Sequence, residues 1–198
     1  MSSSRDDKFS QFEEFFSIEH LYNINIVADN STPPADYDAF IDNMPDAFRV
    51  ASEIVSIDQS ALHTIQELGS HATQLVEYLN HQARKIDLLV GFIIQQQDDE
   101  QNRHQGTKLG GGGLTFISEQ SFAEGTFIEA KAFLNHDNHA IYCFLEVIEK
   151  EVLDNGYVYK TIFKYIRDED RELLVKTSLQ LQSKQLQALA QKRKRDKE

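Results

Sequence analysis

The chain has 198 residues and a mass of 22.7 kDa, enough for one domain, or one domain plus an appendage, around a sizeable core. Hydrophobic residues make up 40% and charged residues 26%, which excludes collagen-like, mucin-like and wholly disordered classes. The net charge is −12; the last seven residues, KRKRDKE, carry +3, so the rest carries −15, a balance that repels phosphate backbones and argues against a nucleic-acid binder.

No apolar run is long enough to span a bilayer, so no transmembrane segment is expected. The N-terminal MSSSRDDKF has acids where a secretion signal needs bases and then an apolar run. The single cysteine, Cys143, cannot form an internal disulfide. These features together predict a cytoplasmic protein.

Three regions separate by pattern: an acidic 1–45 with all three prolines, a helical 46–100, and a 106–198 that opens with glycines, continues as strands and finishes as a helix. In the first, Phe9, Phe12, Phe15 and Phe16 sit at helical spacing. Tyr22, Ile24, Ile26 and Ala28 then alternate with Asn23, Asn25 and Val27, which predicts a half-buried strand over 22–28. DNSTPPAD, residues 29–36, predicts a loop, and Pro45 suits the start of the next helix.

The second region is a heptad pattern. With Ile65 at position a, the a positions are Ala51, Asp58, Ile65, Ala72, Leu79, Ile86 and Ile93. The d positions are Ile54, Ala61, Leu68, Leu75, Gln82 and Leu89. A sustained a/d seam of this kind predicts a helix that associates with other helices. Its apolar members, Ile54, Ile65, Leu68, Ala72, Leu75, Leu79, Ile86, Leu89 and Ile93, are the candidate self-association residues. Position e is also mostly apolar, at Val55, Leu62, Val76, Ala83 and Val90, which asks for more than two neighbours. A helix over 46–97 would be roughly 80 Å long, too long to bury in a small domain, so it must bend back or pack against other chains. Asp58 and Gln82 interrupt the seam; they either fix register and oligomer number or, for Asp58, mark an exposed end. His63, His71 and His81 lack the spacing of a helical metal pair.

The third region opens with Gly110 to Gly113. Strands are predicted at 113–118, 126–134, 139–149 and 156–166, joined by turns at Glu124-Gly125, 135–138 and Asp154-Asn155-Gly156. Residues on both faces of 139–149 are apolar, so that strand should be covered on both sides. Short antiparallel strands at this spacing predict a small barrel, and from Asp168 a helix with acids at its start and bases at its end.

The glycine tract is not a phosphate loop: a Walker motif needs Gly-Lys-Ser/Thr, and Leu114-Thr115 stand there instead. Close backbone crossing is the expected reason for the glycines. Cys143 reads as a small core residue, and His136-x-x-His139 is weak as a metal pair. No catalytic residue and no metal site is expected.

The third region resembles the PilZ domain, a bacterial six-stranded barrel family known for binding cyclic di-GMP. The likeness covers about 106–190, through the glycine turn, Leu114-Thr115-Phe116, Phe122 to Gly125, the strand GYVYKTIFKYI and the closing helix. PilZ domains have an Arg-x-x-x-Arg motif before the first strand and an Asp/Asn-x-Ser-x-x-Gly motif at the turn. The second falls on Lys108 to Gly113: Gly113 matches, Lys108 replaces the Asp/Asn and Gly110 replaces the serine. The first has two candidate registers. In one, Arg103 is kept and Thr107 replaces the second arginine. In the other, preferred because 22–28 then supplies a barrel strand, Glu13, Glu14 and Ser17 stand where arginines are expected. The long helix becomes an insertion between the first and second strands.

The resemblance implies an α+β fold: a small antiparallel PilZ-like barrel with an inserted coiled-coil helix and a C-terminal helix. It extends to non-standard PilZ proteins that carry an added heptad helix, assemble as tetramers and have degraded ligand motifs. The implied function is a non-enzymatic regulatory or adaptor protein, a homotetramer with an unidentified protein partner, that does not hold cyclic di-GMP tightly. The alternative is a cyclic di-GMP receptor with a new grip from Arg103, Lys108 and the basic tail. A third reading is a coiled-coil scaffold capped by the barrel.

Overall fold

The structure is a computed structural model that describes residues 5–27, 32–50, 73–134 and 139–195. Six strands form the body: β1 (Ser17–Val27), β2 (Arg103–Gly110), β3 (Gly113–Ser118), β4 (Phe127–Leu134), β5 (His139–Leu153) and β6 (Gly156–Tyr165). They close into a barrel in the order β1-β2-β3-β6-β5-β4, with every neighbouring pair antiparallel. Closure leaves no unpaired edge. Among the described residues, the helices that accompany it include α1 (Arg5–Glu13), α2 (Tyr37–Asp42), α3 (Thr73–Gln95) and α4 (Asp168–Arg195). Residues 46–50 are also helical.

Inward-facing Ile24, Ile26, Leu109, Phe116, Ile128, Ile141, Cys143 and Leu145 fill the barrel, and Leu174 and Leu181 of α4 join the same core. Tyr22 crosses this interior, its hydroxyl 3.2 Å from the carbonyl oxygen of Lys108 and 3.3 Å from that of Thr115. Gly106 makes room for the Tyr22 ring, because a Cβ there would overlap it. Burial raises the Tyr22 phenol and Cys143 thiol pKa values well above their ordinary ranges, so both stay neutral.

The outer face is covered in two places. Phe40, Met44, Phe48 and Ile94 pack on Phe133, Tyr142 and Phe144, which seats α2, the helical 46–50 and the end of α3 against β4 and β5. Phe12 of α1 packs on Ile148 and Ile162. Strand β5 is therefore buried on both faces, which is why its sequence is apolar at odd and even positions alike.

β1 begins at Ser17, five residues before the alternation becomes legible. Residues 103–110, not predicted as a strand, form β2, so the barrel resumes at Arg103. α3 ends at Gln95, followed by a single 3-10 turn over Glu100–Asn102. Ile54, Ile65, Leu68 and Ala72 of the heptad seam lie outside the described residues, as do Asp58, His63, His71, Ala28 and the 135–138 turn containing His136.

Candidate functional site

Two surfaces gather the residues singled out in the sequence. The first is the glycine hairpin. Gly110 ends β2 and Gly113 begins β3, so Gly111 and Gly112 make the bend. Ser17 pairs with Gly110 across β1 and β2, which brings the end of α1 and the start of β1 onto the hairpin. None of these glycines has positive φ; close approach is what requires them. A Cβ on Gly112 would lie 2.6 Å from the carbonyl oxygens of Gln11 and Phe12. On Gly113 it would overlap the carbonyl oxygen of Thr161, and on Gly111 it would come within 2.8 Å of both Val175 and the Phe15 ring.

The cations around this hairpin face aromatic rings. Lys108 Nζ lies 6.0 Å from the Phe12 ring centre, and Lys160 Nζ lies 5.1 Å from Phe9 and 5.6 Å from Phe12. The Arg171 guanidinium stacks 5.4 Å from Phe15 and donates a 2.6 Å hydrogen bond to the Gly111 carbonyl. Lys8 pairs with Glu146 at 2.5 Å, which fastens α1 to β5. Glu13, Glu14, Ser17, Lys108, Gly110 and Gly113 are thus gathered at one end of β2. Arg103 sits at the other end, about 23 Å away at ~3.3 Å per residue. There it donates to Asp98 at 3.0 Å and lies 3.8 Å from Glu100.

Beside the hairpin, on the outer surface of β1 to β3, Glu19, His20, Leu21, Thr107, Lys108 and Thr115 line an open groove of about 550 Å³. Thr115 Oγ1 is the one buried side-chain polar atom without a hydrogen-bond partner among the described residues.

The second surface is α3. Its last turns bury Ile94 and pack Val90 against the outer-face core, with Gly91 buried between them. The opposite side is open: Leu75, Ile86, Leu89 and Ile93 of the a/d seam are exposed, and Leu79 is half-buried. At position e, Val90 faces the barrel rather than this stripe. Position g widens it, through Tyr78 and Phe92, both exposed. Sequence spacing alone could not tell which flank of the seam met the barrel.

Two polar contacts fix the ends of the inserted segment. At its entrance, Arg167 Nη1 donates to the Phe48 carbonyl at 3.3 Å while its Nε and Nη2 form a bidentate pair with Asp170. At its exit, Asp98 accepts from Asn23, Asn25 and Arg103, and the buried Asn25 accepts from the Asp99 backbone N–H at 2.7 Å. Sequence reasoning missed this clasp, since its members meet only once β1 and β2 are neighbours. The one available signal was the pair of asparagines in the otherwise apolar stretch 22–27.

No family model matches the sequence, and no curated protein matches it. Solved structures do. A tetrameric PilZ domain of Xanthomonas campestris, self-assembled through a helical bundle, aligns with a TM-score of 0.55 at 14% identity, over 89% of this chain and 95% of its own. The fold is that of a PilZ domain. The PilZ domain of Escherichia coli YcgR with cyclic di-GMP aligns over 46% of this chain and 82% of its own, at 14% identity and a TM-score of 0.38. The Bacillus subtilis inhibitor of motility aligns at 16% identity and a TM-score of 0.39, over 41% of this chain and 42% of its own. Within the PilZ fold of this chain, the inserted segment lies between the first two barrel strands, and α3 is part of it. Among the described residues, no helix is long and apolar enough to cross a membrane.

Proposed function

We propose that this chain is a cytoplasmic, non-enzymatic regulatory or adaptor protein that assembles as a tetramer through α3 and does not bind cyclic di-GMP tightly. The outward a/d stripe of α3 carries the reading. Leu89 is 63% exposed and Ile93 52%, on a helix whose other side is already seated on the barrel. Heptad spacing is self-complementary, so the natural occupant is the same stripe on another copy. Exposed Tyr78 and Phe92 at position g, on either side of Lys85, widen the stripe, which favours a bundle over a two-stranded coil. The Xanthomonas protein, which this chain resembles along most of its length, is tetrameric through a helical bundle.

The residues at the glycine hairpin are a poor match for cyclic di-GMP. The ligand is a dianion, and guanidinium forks are what grip phosphate well. Glu13, Glu14 and Ser17 supply none, and α1 with its phenylalanines occupies the space above the glycines. One observation favours the receptor reading instead: the unpartnered Thr115 Oγ1 in the groove beside Lys108.

Light scattering in line with gel filtration, with and without cyclic di-GMP, separates the two. A mass of four times 22.7 kDa, unmoved by ligand, is expected. A monomer would overturn the assembly, and a ligand-dependent mass would favour the receptor.

A further inference from the structure

A third surface is left open, on α4. Leu174, Thr177, Ser178 and Leu181 form its barrel-facing side. A different stripe runs along the outside: Glu172, Val175, Leu179, Leu186, Ala190 and Arg193. Leu179 is 50% exposed and Leu186 60%; Glu172, Ala190 and Arg193 are exposed, and Val175 is half-buried, one of its methyls beside Gly111 of the hairpin. At 100° per residue these six fall on one face.

Their spacing along the chain is 3, 4, 7, 4 and 3 residues, which reads the same in both directions. The chemistry also mirrors, with one inversion: an acid ends the stripe on one side and a base on the other. Two such helices laid antiparallel about a two-fold axis between Gln182 and Ser183 bring Leu179 against Leu186, Val175 against Ala190 and Glu172 against Arg193. Each contact occurs twice, as an isologous interface requires. Parallel pairing would instead oppose Glu172 to Glu172 and Arg193 to Arg193, which is repulsive. The macrodipoles also favour the antiparallel sense, since the acidic first turn of one helix meets the basic last turn of the other.

We propose that α4 is a second self-association surface, pairing antiparallel with α4 of another copy of this chain through that stripe. It shares no residue with the seam on α3, so it stands whether or not α3 associates. A lipid surface fits less well: glutamines at 180, 182, 185 and 187 surround the leucines and leave too little contiguous apolar area to insert.

Cysteine cross-linking of the full-length protein tests this. Cys143 is buried, so the unmodified chain serves as the blank. Ser183→Cys lies beside the predicted axis, whereas Lys184→Cys points away from it. A short bismaleimide should link Ser183→Cys into dimers and leave Lys184→Cys monomeric. Glu172→Arg should cut the yield roughly fivefold at low salt, and the exchange E172R/R193E should restore it, because each symmetric interface carries two such pairs. Equal cross-linking of the two cysteine variants, none with either, or no rescue by the exchange would overturn the proposal. So would binding to anionic vesicles without dimer. Repeating the Ser183→Cys experiment in a Leu89→Lys background separates the two surfaces: dimer that persists belongs to α4, and dimer that vanishes makes the α4 contact a by-product of α3.

Discussion

The glycine tract distinguishes two reasons for a glycine. Gly125 has a φ of +82° and open space around it, so Gly125→Ala costs only left-handed strain, about 1 kcal/mol. Gly113 has ordinary backbone angles, but a Cβ would run into the Thr161 carbonyl of the paired strand, which cannot swing away as a side chain could. Gly113→Ala should therefore cost about 3 kcal/mol or more, and thermal denaturation of the two variants should rank them in that order. Four consecutive glycines showed that backbone passes close by. They could not show that the neighbours are α1 and β6, which are distant in sequence. Asp98 makes a second case. Burial alone would raise its carboxyl, but hydrogen bonds from Arg103, Asn25 and Asn23 outweigh that and hold it below the ordinary carboxylate value. A depressed folded pKa contributes stability that is complete above the unfolded value of about 4 and is lost as pH falls through the folded value. Asp98→Asn should thus destabilise by about 1–3 kcal/mol at pH 7, with the gap to wild type narrowing below roughly pH 4 in urea titrations.

At the scale of elements, α3 has two apolar sides with different roles, and matched substitutions tell them apart. Ile94 is 3% exposed in the outer-face core with Phe40, Phe48 and Tyr142. Ile94→Lys buries an unpaired charge and should lower the thermal midpoint sharply, by several kcal/mol in stability. Leu89 is 63% exposed and belongs to none of the core clusters, so Leu89→Lys should leave the unfolding of the single chain intact while sedimentation velocity shows a smaller mass than the proposed tetramer. Loss of folding with Leu89→Lys would place that side chain in a core. The heptad was legible because the seam repeats. The seat of α3 was not, because Val90, Gly91 and Ile94 read as ordinary members of the same helix. β2 was hidden for another reason. RHQGTKLG holds two glycines and three basic or titratable side chains, so its alternation is broken, and it is a strand because β1 and β3 pair with it on both sides. β5 shows the contrary case, since the apolar run within 139–149 and Asp154-Asn155-Gly156 at the turn announced the hairpin in advance, although the strand extends four residues further, to Leu153.

For the whole molecule, the barrel holds a long insertion at two points, Arg167 to Phe48 at the entrance and Asp98 to Asn23, Asn25 and Arg103 at the exit. The described parts of the insertion nearest the barrel, α2 to Phe48 and Ile94 to Asp99, are thus seated on it. The same frame bears on ligand binding. Arg103, the one arginine near either ligand-motif register, is spent on that clasp, while Lys108, Lys160 and Arg171 lie over the rings of Phe9, Phe12 and Phe15. A dianion arriving at a chain of net charge −12 could meet Lys108 from the open groove, but at Lys160 it would compete with Phe9 and Phe12 of α1. Ligand that binds only the folded state at a hundred times its Kd adds about 2.7 kcal/mol to stability, a shift of several degrees for a domain of this size. Cyclic di-GMP at about 100 μM should therefore leave the thermal midpoint unmoved, and that null is informative only beside a variant that opens the hairpin. Phe12→Ala removes the ring that caps Gly113 and shields Lys108 and Lys160, at a cost of about 3 kcal/mol in its own right. If α1 is what keeps the cations from the ligand, Phe12→Ala gains a ligand-dependent rise in midpoint that wild type lacks. If neither responds, the missing arginines alone account for the silence; if wild type responds, the hairpin binds the ligand as it stands.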